Sequence, residues 1–127
     1  MKKILVFLLV MSPAAYVSAS ECGDAMTQSA MNECVLKEYK ASDKTLNQTY
    51  REVFKHTEGD QRKLLKAAQN AWIGYRDSDC KFQSYRSGEG AVRPMNMALC
   101  LKEKTIQRTT ELKKMLDCPE GDVSCPI

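Results

Sequence analysis

The 127-residue sequence has a single histidine and no pair of cysteines spaced as C-x-x-C. Structural metal sites draw on histidine and cysteine at short, regular spacings, so these absences argue against a metal site. No nucleophile motif accompanies His56, which leaves nucleophilic and acid–base catalysis without an obvious set of residues. We therefore expect no metal, no cofactor and no enzyme activity.

Long apolar runs are also missing. The stretch from Ile4 to Met11 is too short for a transmembrane helix, which needs about 20 residues. It follows two lysines and precedes Val17-Ser18-Ala19, the order of a secretory signal peptide. We predict a signal peptide over residues 1–19 and a periplasmic or secreted chain from residue 20 onward.

A lipid anchor is not expected, although Cys22 closely follows the predicted cleavage site. Glu21 stands directly before Cys22, where lipid attachment requires a small residue. The predicted mature chain therefore has no stable membrane anchor.

The sequence also lacks a strong excess of either charge. Without Lys2 and Lys3 it retains 17 basic and 16 acidic residues, a net charge of +1. Binding to nucleic acid through its phosphates requires a larger basic excess. We therefore expect no nucleic-acid partner.

Apolar residues recur at steps of three and four along three segments, which predicts three helices and no strand. The predicted helices cover about residues 25–56 (A), 60–86 (B) and 94–116 (C), with Trp72 and Tyr75 in the core. Short connections favour antiparallel neighbours. The predicted fold is all-α, an antiparallel three-helix bundle with disulfide staples, forming one domain over residues 20–127 with a tail at 117–127.

Six cysteines follow the predicted signal peptide, an even number that indicates disulfides in a small exported domain. Six cysteines can pair in fifteen ways, and spacing alone does not choose among them. In an antiparallel bundle, however, the end of helix B meets the start of helix C, and two cysteines in the tail lie close together. The predicted pairs are Cys80–Cys100, Cys118–Cys125 and, by remainder, Cys22–Cys34.

Charged residues interrupt the apolar face of each predicted helix, namely Asp43, Asp79 and Arg108. A buried charge is costly unless it is paired. We interpret them as an ion pair between Arg108 and a carboxylate of helix A or B that fixes helix register, in preference to a carboxylate pair for acid–base catalysis. The amides predicted to form hydrogen bonds between helices are Asn32, Asn47 and Gln69.

Four motifs together resemble the LprI-like lysozyme inhibitor family over about Cys22 to Leu116. The motifs are Gln28-x-x-Met31-Asn32-x-Cys34, Asp43-x-x-Leu46-Asn47-x-x-Tyr50, Gln69-x-x-Trp72-x-x-Tyr75-Arg76-Asp77-x-x-Cys80, and Cys100 followed by Thr105-x-x-Arg108-x-x-x-Leu112. The resemblance implies an exported, helical, cysteine-bridged domain that binds a protein, with lysozyme as the implied target.

The tip where predicted helices B and C meet, with the adjoining ends of both helices, is a candidate surface for binding such a target. From Lys81 to Lys104 it has five basic and two acidic residues. Glycosidase clefts carry two carboxylates, which a cation on a stiff loop would complement. The candidate target-binding residues are Arg86, Ser87, Glu89 and Arg93; the alternative is an ordinary solvated loop.

The leading hypothesis is an exported inhibitor of lysozyme or of another cell-wall hydrolase. The alternatives are a structural or adaptor protein of the cell envelope and an immunity protein against a secreted toxin.

Overall fold

The computed structural model describes residues 21–119 and 121–127, so the predicted signal peptide lies outside the described residues. Three long helices make up the fold: α1 (Gln28–Lys55), α2 (Gly59–Gln83) and α3 (Arg93–Leu116). Two short 3₁₀ helices, Glu21–Asp24 and Tyr85–Ser87, precede α1 and follow α2. Residues 21–119 and 121–127 contain no strand, and the predicted three-helix bundle is confirmed.

Local sequence explains where the helices begin. Thr27 caps α1, because its Oγ1 accepts a hydrogen bond from the Ala30 amide at 3.0 Å. Glu58 precedes α2 without a side-chain cap. Asp60 lies in the first turn of α2, where a negative charge suits the helix dipole.

The three helices do not pack equally. α1 and α3 make the most extensive contact, whereas α2 touches α3 over a smaller area. Long side chains connect α2 to α1; for example, Arg76 Nη1 lies 3.3 Å from Asp43 Oδ1. The bundle is therefore a close α1–α3 pair with α2 attached to it.

Two separate apolar clusters stabilise the two ends of the bundle. The first lies where α1 and α3 begin, and we call this end the loop end; its members are Cys22, Cys34, Val35, Met95 and Ala98. The second lies where α1 and α3 finish, and we call this end the tail end; its buried members are Leu46, Val53 and Leu112, with Tyr50, Leu65, Trp72, Met115 and Ile127 packed around them.

Three disulfides connect the cysteines in the pairs proposed from the topology. Cys22–Cys34 joins the first 3₁₀ helix to α1, and Cys80–Cys100 joins α2 to α3, both at the loop end. Cys118–Cys125 closes the tail. The disulfide-linked tail folds back, so that Gln61 donates a hydrogen bond to the Pro126 carbonyl and Ile127 packs on the tail-end cluster.

The buried face of α2 differs from its predicted face. Its buried residues are Gln69, Arg76 and Cys80, while Tyr75 is 58% exposed. Placing Tyr75 in the core was therefore wrong. Trp72 packs on the tail-end cluster as predicted, but Gln69 and Arg76, which find hydrogen-bond partners, take more buried positions. The buried face of α2 is therefore rotated away from its apolar residues toward polar ones.

Arg76 is the charged residue at the centre of the bundle. Its guanidinium binds Asp77 at 2.9 Å, Asp43 at 3.3 Å and the Thr105 hydroxyl at 3.4 Å. The Trp72 ring lies 5.2 Å from the guanidinium carbon. Buried charge is tolerated here because both carboxylates and the hydroxyl satisfy its donors.

Arg108 does not face a carboxylate of α1 or α2, which corrects the predicted pairing. Its Nε donates to the Gln69 side-chain oxygen and its Nη1 to Glu111 of its own helix, each at 3.0 Å. Arg76 already holds Asp43, and Asp79 binds Lys104 instead. Asn47 is exposed and bonds only within α1, to Asp43 at 3.4 Å.

Candidate functional site

The loop between α2 and α3 begins with a compact turn. Ser84 ends α2 and is buried, and the Ser87 and Gly88 amides donate back to Ser84 and Tyr85 carbonyls at 3.0 and 3.1 Å. Gly88 then adopts φ 60° and ψ −146°, a conformation that residues with a Cβ avoid. Glycine at position 88 is therefore required for the chain to turn toward α3.

Side chains from α1 and α3 fix the far half of the loop. Asn96 Nδ2 donates to Ser87 Oγ at 2.7 Å, and Asn32 Nδ2 donates to the Ala91 carbonyl at 2.8 Å. Arg93 Nη1 donates to the Gly88 carbonyl at 3.4 Å. These contacts, with the Cys80–Cys100 disulfide at the base of the loop, hold it in one conformation.

The candidate residues from the sequence analysis divide into two groups in this loop. Ser87 and Arg93 are half-buried and support the loop through the hydrogen bonds just described. Arg86 and Glu89 are exposed, and neither has an ion-pair partner among the described residues. The loop therefore presents one free cation and one free anion close together in the chain.

Tyr85 is a further exposed residue of this loop that sequence reasoning missed. Its side chain is 75% exposed at the start of the second 3₁₀ helix, directly beside Arg86 in sequence. Tyrosine and arginine are the residue types that most often dominate protein interfaces. The sequence analysis placed Tyr85 inside predicted helix B, whereas α2 ends at Gln83 and leaves Tyr85 in the loop.

The basic character of the segment from Lys81 to Lys104 is smaller than its composition indicates. Lys102 binds Glu38 at 2.7 Å, and Lys104 binds Asp79 at 2.7 Å. The hydrogen bond from Lys104 holds the pKa of Asp79 below its ordinary value, and the same bond raises the pKa of Lys104. Lys81 and Arg86 are the exposed cations left without an ion-pair partner in this stretch of the described chain.

The described residues contain one group that resembles a metal-binding cluster, namely Cys22, Cys34 and Glu38. Its two sulfurs are bonded to each other, and Glu38 binds Lys102. Because a metal ligand must be a thiolate rather than a disulfide sulfur, this arrangement is a covalent link beside an ion pair.

None of the helices in the described parts of the chain combines the length and apolar character needed to cross a membrane.

Comparison with known proteins supports the reading of the motifs. The family model described as "Lysozyme inhibitor LprI" matches residues 19–112. An uncharacterised protein of Rhizobium meliloti (strain 1021), R02472, is 35% identical over 114 residues, covering 80% of this chain and 82% of that protein. No solved structure matches significantly. The match to the family model ends at residue 112, before the disulfide-closed tail.

Proposed function

The chain belongs to the LprI lysozyme inhibitor family, and on that premise we propose that it inhibits lysozyme or another cell-wall hydrolase in the periplasm. Membership of an inhibitor family and the three disulfides together indicate an extracytoplasmic protein that binds another protein. The observation that carries the proposal is the family match over nearly the whole described bundle.

The fixed loop between α2 and α3 supports a specific mode of inhibition. Arg86 is an exposed guanidinium on a loop whose conformation is already set by three side-chain hydrogen bonds and one disulfide. Such a loop loses little conformational entropy on binding. Glycosidases carry two catalytic carboxylates, and a guanidinium can bind a carboxylate through two parallel hydrogen bonds. Insertion of Arg86 into such a cleft would block access of substrate.

The neighbouring side chains fit supporting roles in the same contact. Tyr85 offers a large aromatic surface beside the cation. Glu89 adds a negative charge that can accept hydrogen bonds from a basic enzyme surface. Such a local contact is needed because the +1 net charge of residues 20–127 gives no long-range attraction to a basic lysozyme. The complex would therefore depend on short-range contacts at the loop.

The test is lysis of a bacterial cell-wall suspension by several lysozymes, with and without the oxidised protein. We expect dose-dependent inhibition that the Arg86→Ala variant weakens about 10- to 100-fold, the range for an arginine at the centre of an interface. The matched control is Arg51→Ala, an exposed arginine of α1 far from the loop in sequence. Circular dichroism would show that both variants remain folded.

Two outcomes would contradict the proposal at different levels. Inhibition that is equal for the Arg86→Ala and unsubstituted proteins would exclude the loop as the inhibitory surface. An absence of inhibition across lysozyme types would exclude lysozyme as the target. Capture of a stable envelope partner or a secreted toxin would then support an adaptor or an immunity role.

A further inference from the structure

The outer side of α2 carries large apolar side chains that the bundle leaves largely exposed, although Lys104 of α3 lies over the Tyr75 ring at 4.9 Å. Leu64 is 71% exposed, Tyr75 58% and Phe82 78%. An α-helix turns by about 100° per residue, so these three residues, together with Ala68 and Ala71, lie within roughly 60° of one another around the helix axis. The face that they form is about 27 Å long, since it spans 18 residue steps at about 1.5 Å each. We call these five residues the α2 stripe. A continuous exposed apolar surface of this kind marks an interaction site.

We propose that the α2 stripe is the interface between two copies of this chain, with their α2 helices packed antiparallel. A two-fold symmetric contact uses the same surface on both copies, so the stripe must be complementary to itself. The sequence pattern and the charges along α2 both meet this condition.

The pattern of large and small residues is complementary about Ile73. In an antiparallel pair centred there, Leu64 of one copy lies opposite Phe82 of the other, and Tyr75 lies opposite Ala71. The remaining pair across the axis joins Ala68 to Ser78, two small side chains. At each end of the contact two large side chains meet, and near the centre each large side chain meets a small one. This arrangement permits close packing of the two helices.

The charges at the two ends of α2 favour the antiparallel over the parallel orientation. Glu58 and Asp60 stand at the start of α2, whereas Lys81 and Arg86 stand at or just beyond its end. Antiparallel packing places each acidic start beside the basic end of the other copy, while parallel packing would place like charges together. Lys63, 3.5 Å from Asp60, offsets part of this attraction, but Glu58 and Arg86 have no ion-pair partner within the described residues.

The rim of the stripe toward α3 does not oppose such a contact. Lys104 is neutralised by Asp79 at 2.7 Å, and Arg108 by Glu111 at 3.0 Å. No unpaired cation of α3 is therefore brought toward the second copy at these positions. One pair of helices buries less area than the roughly 1,600 Å² of a standard stable interface. We thus expect a reversible dimer whose population depends on concentration.

The experiment is sedimentation velocity of the oxidised protein over two orders of magnitude in concentration, without any hydrolase present. The expected result is a shift from monomer to dimer as concentration rises. Leu64→Glu and Phe82→Glu should each weaken association by about tenfold or more, since each places a charge where two large apolar side chains meet at an end of the contact. The matched control is Ile106→Glu, because Ile106 is 50% exposed on α3, outside the stripe, and should leave association unchanged.

A charge reversal tests the orientation separately. Asp60→Arg and Arg86→Asp should each weaken the dimer, and the double variant should restore it. A monomer at every concentration, or a dimer that Phe82→Glu leaves intact, would overturn the proposal. The proposal would also be overturned if Phe82→Glu abolished inhibition of a hydrolase but left the proportion of dimer unchanged. The stripe would then contact the target rather than a second copy. Failure of the double variant to restore association would overturn the antiparallel register.

Discussion

The loop end and the tail end of the bundle are stabilised by different interactions. At the loop end the apolar cluster is made of small side chains such as Val35 and Ala98. Two disulfides and the hydrogen bonds that Asn32 and Asn96 donate to the loop add to it. At the tail end, the large side chains Leu46, Val53 and Leu112 form an apolar core that the tail covers through Ile127.

This difference shows how a small domain can present a rigid loop without a large core beneath it. Covalent links and hydrogen bonds fix geometry directly, whereas apolar packing stabilises the fold without regard to direction. The surface that we propose for target binding lies at the end fixed by directional interactions. Substitutions at the two ends should therefore affect different properties of the protein.

The largest effect is expected from Leu112→Ala at the tail end. Leu112 is fully buried against Leu46 and Val53, and removal of such a side chain leaves a cavity that costs about 2–5 kcal/mol of unfolding free energy. Denaturant unfolding measures the loss. Leu99→Ala is the control, because Leu99 lies on the same helix but is exposed, so its cost should stay within about 0.5 kcal/mol. Equal losses in the two variants would mean that the tail-end core does not dominate stability.

A smaller loss of stability, but a larger change in the loop, is expected from the double substitution Cys80→Ala and Cys100→Ala. The chain-entropy model gives about 3 kcal/mol for this disulfide and about 2.5 kcal/mol for Cys118–Cys125. Amide hydrogen exchange in residues 85–92 should accelerate when the Cys80–Cys100 disulfide is removed, but not when the Cys118–Cys125 disulfide is removed. If exchange in that segment is unchanged, or if removal of the Cys118–Cys125 link accelerates it equally, the loop end does not owe its rigidity to its own disulfide.

The smallest effect is expected from the Asp79–Lys104 ion pair between α2 and α3. Because the folded-state pKa of Asp79 is lowered, the pair stabilises the protein above the ordinary Asp pKa of 3.8, and this contribution is lost as pH falls through the folded-state value. The Lys104→Met variant should therefore melt below the unsubstituted protein near neutral pH, with the difference shrinking as the pH is lowered from about 5 to about 2.

The control for this pH dependence is Lys63→Met, which removes an exposed partner of Asp60. Exposed ion pairs contribute little to stability, so its melting temperature should follow that of the unsubstituted protein at every pH. A difference between Lys104→Met and the unsubstituted protein that stays constant with pH would show that Lys104 acts through packing of its stem rather than through charge.

The apolar periodicity of the sequence indicated the buried face of α1 and α3 correctly and that of α2 only in part. Leu46, Val53 and Leu112 belong to the apolar residues that repeat at helical steps along α1 and α3, and all three are buried. On α2 the apolar pattern pointed to Tyr75, whereas Arg76 occupies the core. An arginine is assigned to the surface by any hydropathy argument, and only its contacts with Asp43, Asp77 and Thr105 explain its burial.

The candidate site was predicted in position but not in detail. The excess of basic residues from Lys81 to Lys104 and the predicted Cys80–Cys100 disulfide indicated the connection between α2 and α3 as a candidate binding surface. The division into supporting residues, Ser87 and Arg93, and presented residues, Arg86 and Glu89, could not be predicted, because it depends on hydrogen bonds with Asn96 and with the Gly88 carbonyl. The exposure of Tyr85 likewise depends on the turn that follows α2.

The sequence by itself determined the number of helices, their approximate ends and the all-α fold, because helical periodicity, capping residues and glycine breaks act over a few neighbouring residues. Tertiary structure alone decided which polar residues are buried, which cations remain free and which face of α2 stays uncovered. These features depend on distances between helices that are far apart in sequence. Asp43 therefore pairs with Arg76 rather than with Arg108, and Phe82 is left on the surface.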